Sequence, residues 1–148
     1  MNQDFQDFLR TLLEAGVRFL VVGAHALAVH GVPRATVDLD VWIERTPENA
    51  DRVWHAMQAF GAPLEALGIA RADLERPQMV IQIGVPPRRI DVLTDVSGVG
   101  FEAAWADRTE HFVGSIKVPF MGRRTFIINK RATGRTKDLA DLEELGEA

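Results

Sequence analysis

Thr36-Val37-Asp38-Leu39-Asp40-Val41-Trp42-Ile43 sets two aspartates two residues apart in a run that is otherwise mostly β-branched and apolar. Side chains alternate across a strand, so both carboxylates project from one face while Val37, Leu39, Val41 and Ile43 bury the other. Aspartate is poorly suited to strands, and two anions held this close repel each other. A shared divalent cation is the simplest way to keep both ionised, and hard cations such as magnesium favour carboxylate oxygen. The bland alternative is a half-exposed sheet whose acids merely face water. The metal reading is preferred, and it points to phosphate chemistry.

Outward from this run, Val17–Val22 is a short apolar stretch that reads as a buried strand and ends at Gly23. Gly23-Ala24-His25-Ala26-Leu27-Ala28-Val29-His30 then reads as a helix that stops at Gly31, with Pro33 preventing its continuation. A glycine turn feeding a helix leaves backbone N–H groups free for an anion such as phosphate, although glycine between a strand and a helix is also common punctuation. On the other side, Asp91 lies in Arg89-Ile90-Asp91-Val92-Leu93, on the face opposite Ile90 and Val92. A strand running beside the first would bring it near Asp38 and Asp40. Three carboxylates around two metals match in-line phosphoryl transfer, one metal serving the attacking oxygen and the other the departing pyrophosphate. Asp95, just beyond, reads as a turn residue.

The remaining chain supplies the frame. Residues 3–15 carry Phe5, Phe8, Leu9, Leu12 and Leu13 at helical spacing, with Gly16 as the stop. Thr46-Pro47 opens a helix through about Phe60, stopped by Gly61. Residues 62–77 read as a loop holding a short helix. Residues 79–83 and 88–94 read as strands, separated by a turn at Pro86-Pro87, and residues 101–107 as a short helix. Residues 113–120 read as a hairpin arm or edge strand. Residues 125–128 fit strand and helix equally, and residues 137–144 read as helical. The pattern predicts a single α+β domain over residues 1–148, a small mixed β-sheet with helices packed against it.

In this order Val22–Gly31, Pro33–Asp40, Arg89–Leu93, Asn129-Lys130-Arg131 and Gly134–Leu142 resemble the nucleotidyltransferase superfamily with the polymerase-β-like core, and within it the AbiEii-type and minimal nucleotidyltransferases. The resemblance spans residues 20 to 142. It implies that Asp38, Asp40 and Asp91 are the metal carboxylates, with Asp91 also taking the proton of the attacking hydroxyl. It implies further that Gly23 and Ala24 cradle the nucleotide phosphates, that Lys130 and Lys137 neutralise triphosphate charge, and that Arg34 and Thr36 touch phosphate or shape the loop. Magnesium or manganese is the implied cofactor and a nucleoside triphosphate the implied substrate, with an RNA or protein hydroxyl as acceptor. AbiEii-type relatives act as toxins restrained by an antitoxin protein. Ala24 stands where the family usually has the second residue of Gly-Ser or Gly-Gly; its backbone N–H remains, but the hydroxyl does not. A non-catalytic nucleotide-binding or interaction module on the same fold is the alternative that Ala24 keeps open.

Composition narrows the rest. The chain has 148 residues, 47% hydrophobic and 26% charged, enough for one core, and has no apolar run long enough to span a bilayer. It has no cysteine, which excludes disulfides, thiolate nucleophiles and Cys-ligated zinc, and with an N-terminus unlike a secretory signal it suggests a cytoplasmic protein. The net charge of −4 hides an uneven distribution, since residues 111–137 contain no acid and seven Lys or Arg. Such a segment suits a polyphosphate or an RNA backbone, or simply a solvated surface. His25 and His30 read as partly buried helix residues rather than ligands, and His55, His111, Ser97 and Ser115 have no chemical context. Trp42 shares the parity of the aspartates, which would let it stack on a base, but a core or rim tryptophan is the preferred reading.

Overall fold

Val22, at the end of the first strand, is followed at once by helix, and this sharp strand-to-helix junction organises the architecture. The computed structural model describes residues 1–35 and 37–147. Helix α1 (Gln3–Glu14) is capped by Asn2, whose side chain accepts from the Phe5 amide, and it buries Phe5, Phe8, Leu9 and Leu12. Strand β1 (Phe19–Val22) is buried along its whole length and runs into α2 (Gly23–Val29). After a loop comes β2 (Leu39–Ile43), then α3 (Pro47–Phe60), which starts with Thr46 as cap and Pro47 at its first position and stops at Gly61. Residues 62–77 contain one turn of 3-10 helix, Arg71–Glu75, as a short helix in a loop.

Strands β3 (Val80–Ile83) and β4 (Ile90–Leu93) follow, then α4 (Phe101–Asp107), β5 (Thr109–Val113), β6 (Ile116–Phe120), α5 (Arg123–Thr133) and α6 (Thr136–Glu144). The six strands form one mixed sheet in the order β3-β4-β2-β1-β6-β5. The β1/β2, β3/β4 and β5/β6 pairs are antiparallel, while β2/β4 and β1/β6 are parallel. The fold is therefore the mixed sheet with packed helices that the patterning predicts.

Two boundaries differ from the sequence expectation, and one open reading is decided. Strand β2 begins at Leu39, so Asp38 sits just before it rather than inside it. The stretch 113–120 is the second half of a hairpin: Val113 faces Ile116 across Gly114-Ser115, and the unforeseen β5 is the edge strand. His111 lies in the middle of this strand. Residues 125–128 are helical within α5, because the core needs only Thr125 and Phe126 from this stretch and leaves Ile128 exposed.

A buried polar clamp holds the centre together. Asn49, in the first turn of α3, donates through Nδ2 to the carbonyls of Arg18 (3.0 Å) and Glu44 (2.8 Å) and accepts from the Arg18 amide at 2.8 Å. These bonds tie the start of β1 to the end of β2. Among the described residues no helix is long and apolar enough to cross a membrane.

Candidate active site

The pairing of three strands brings the acids together. Val22 of β1 lies opposite Asp40 of β2, and Asp40 lies opposite Asp91 of β4 across the parallel ladder. Alternation then puts Asp40 and Asp91 on one face at one level. Asp38 is anchored beside them, its Oδ1 accepting from the Arg89 amide at 3.1 Å. The juxtaposition expected from sequence is present.

Gly23 closes one side. Its φ is +68°, and a β-carbon added there would lie 2.2 Å from Oδ2 of Asp40. Glycine is needed for the backbone conformation and for the close approach together. The Asp40 carboxylate thus rests against the strand-to-helix turn.

Arg89 was not foreseen as part of the site. Its Nε donates to Asp91 Oδ1 at 2.8 Å and its Nη2 to Asp91 Oδ2 at 3.2 Å, a two-pronged pairing, while Nη2 also lies 3.6 Å from Asp38 Oδ2. Asp40 has no hydrogen bond or ion pair to a cation among the described residues. Burial, and then the adjacent negative charges of Asp91 and Asp38, raise its carboxyl to about 7, against a smaller opposing pull from Arg89. The sequence signal that could have found Arg89 is its position two residues before Asp91, hence on the same face of one strand.

The opposite wall comes from the C-terminal helices. A cleft of about 490 Å³ is lined by the acid cluster, Gly23, Ala24, Arg34, Lys130, Arg135 and Lys137 among others. Lys130 lies between two carboxylates, 3.2 Å from Asp138 and 3.5 Å from Asp141. Arg34 reaches Asp141 at 2.8 Å and Glu144 at 2.9 Å, and Arg135 reaches Asp138 at 2.8 Å. Asp138 is wholly buried. Burial alone would raise its carboxyl, but the hydrogen bonds and charge of Arg135 and Lys130 outweigh this and hold it well below the usual carboxylate range. Lys137 is exposed at the cleft and has no ion pair among the described residues.

Of the residues singled out by sequence, Asp38, Asp40, Asp91, Gly23, Ala24, Arg34, Lys130 and Lys137 all line this one cleft. Thr36 lies outside the described residues. Arg34 and Lys130 differ from expectation in being engaged by carboxylates, so Asp138 and Asp141 belong to the site's surroundings. His25 is half-buried with Nε2 3.3 Å from the Val37 carbonyl, and His30 holds the Met121 carbonyl at 2.8 Å. Both serve the fold. Trp42 is buried edge-on against Phe101 with ring centres 5.1 Å apart, which removes it as a platform for a base.

Among the described residues no group of three Asp, Glu, His or Cys side chains is gathered closely enough to hold a metal ion as they stand. Arg89 lies on two of the three acids. The donor set nonetheless suits a hard cation, being all carboxylate oxygen, and it leaves Asp40 without a counter-charge.

No protein-family model matches the chain, and no curated protein matches it. Among solved structures it is similar to a "putative nucleotidyltransferase" from Thermotoga maritima, with a TM-score of 0.56 and 14% identity, over 99% of this chain and 93% of that one. At that identity the likeness is one of fold, and the fold is nucleotidyltransferase-like.

Proposed function

We propose that this chain is a metal-dependent nucleotidyltransferase that moves a nucleoside monophosphate from a triphosphate to a hydroxyl of RNA or protein. The observation that carries the reading is the Asp40–Asp91 register beside Asp38, with the glycine turn packed against Asp40 and cationic side chains on the opposite wall. Asp38, Asp40 and Asp91 would hold magnesium or manganese. Such an ion, when bound, neutralises the charge that develops on the phosphoryl oxygens.

The chain's own residues divide the remaining work. Lys130, Lys137 and Arg34 bind the polyphosphate, and the network beneath Lys130 and Arg34 fixes where their charges stand. Gly23 and Ala24 allow the backbone to approach the phosphates. The acceptor oxygen attacks the α-phosphorus, its bond to the β-bridging oxygen breaks, and pyrophosphate leaves. The hydroxyl proton passes to Asp91, which requires one of its oxygens to be released by Arg89.

The test is calorimetric titration of the four ribonucleoside triphosphates, with and without magnesium, into the wild type and Asp38→Asn/Asp40→Asn. Magnesium-dependent binding that disappears in the variant is expected. Binding that survives unchanged would sink the assignment. The AbiEii-type resemblance extends the proposal to a toxin held by an antitoxin, for which growth arrest on expression must be lost in Asp38→Ala. A second reading, a nucleotide-binding module without turnover, is favoured by Ala24 and by the occupation of Asp91 by Arg89.

A further inference from the structure

The Arg89 side chain occupies two of the three carboxylates that the proposed function assigns to metal. The guanidinium is partly exposed at the cleft wall, where it can leave without disturbing the core. Its backbone amide separately holds Asp38, so the acid stays in place when the side chain moves. The third acid, Asp40, receives neither a hydrogen bond nor an ion pair from Arg89, only a weaker pull at a distance. An arrangement meant only to satisfy the acids would cover Asp40 as well.

From this geometry we infer that Arg89 is an exchangeable counter-ion: it holds Asp91 and Asp38 in the ligand-free protein and gives them up to a divalent cation when a polyphosphate arrives to take the guanidinium. The inference rests on the reading of the cleft as a metal–triphosphate site. It makes a specific sense of the two-walled cleft. A bare cation must compete with a fixed positive charge, whereas a cation delivered with a triphosphate brings the anion that draws Arg89 away. Binding of metal and nucleotide is thereby coupled, and the coupling is reciprocal. Arg89 is a positioning residue in this scheme, setting the order of events.

The experiment is manganese binding, read from the paramagnetic resonance signal of the free ion. It is run on the wild type, Arg89→Met and Arg89→Lys, with and without a non-hydrolysable triphosphate. Removing one charge-assisted, two-pronged pair is expected to tighten bare manganese binding about tenfold or more in Arg89→Met. Arg89→Lys, which keeps the charge but loses the fork, should show a smaller gain and decides the matter if the methionine variant does not fold. The fold-change by which the triphosphate tightens manganese binding should shrink in both. General damage to the structure weakens metal binding and cannot mimic a gain. Equal or weaker manganese affinity in the variants would overturn the exchange role while leaving the metal site standing. No manganese bound by any of the proteins, with or without triphosphate, would overturn both.

Discussion

The sheet end gathers Asp38, Asp40 and Asp91 around a single arginine, whereas the C-terminal helices set Lys130, Arg34 and Arg135 against Asp138, Asp141 and Glu144. Both clusters line one cleft, yet only the second is internally balanced. There the carboxylates are each met by a cation, and Asp138 stays ionised although wholly buried, because its cationic partners outweigh the cost of burial. In the first, Asp40 is left with its charge opposed by burial and by its neighbours. A cluster that closes on itself fixes where its charges stand. One that leaves a charge unmet is asking for a ligand.

The difference can be broken most severely at Lys130. Replacing it with methionine leaves buried Asp138 short of a partner, and the expected loss is about 3 kcal/mol, measured by urea unfolding at neutral pH. A loss below about 1 kcal/mol would mean that Arg135 alone carries the network. Next comes Gly23→Ala, which forces a left-handed backbone on alanine and a methyl into the Asp40 carboxylate; a loss of about 2 kcal/mol in the same assay is expected, together with loss of triphosphate binding.

Asp40→Asn should move the other way. The Asp40 carboxyl titrates near 7 in the folded protein against an unperturbed value of 3.8. The folded state therefore holds this proton more tightly than the unfolded chain, and stability falls as pH rises from about 4 through 7. At pH 8, without divalent cation, Asp40→Asn should be more stable than wild type by about 2 kcal/mol, with little difference at pH 4. Magnesium should narrow the gap by stabilising the wild type alone, and thermal unfolding at both pH values checks all of this. The smallest effect belongs to Lys137→Ala, expected to shift stability by less than about 0.5 kcal/mol while weakening triphosphate affinity in titration.

The fold was legible where local signals agreed. Thr46-Pro47 with Gly61 marked α3, and the five apolar side chains spaced through residues 3–15 marked α1, because caps and periodicity are properties of short stretches. The edge strand β5 was missed because an edge buries little, and its alternation of Thr109, His111 and Val113 is faint. For the site, the parity of Asp40 and the position of Asp91 anticipated their meeting. Arg89 was overlooked although it shares that parity. The partners of Arg34 were beyond reach, since it meets Asp141 and Glu144 across more than a hundred residues, a contact set by tertiary packing.

The Asn49 clamp has a wider meaning than its three bonds suggest. Strands β1 and β2 are antiparallel neighbours, but a helix and a loop separate them, so no tight turn fixes how they align. A slip of one residue would turn Asp40 toward the opposite face and bring Leu39 or Val41 to the cleft. By gripping the Arg18 and Glu44 backbones at once, Asn49 keeps the two strands in phase from the far end of the sheet. A neutral amide remote from the cleft thus decides which face of the sheet presents its acids.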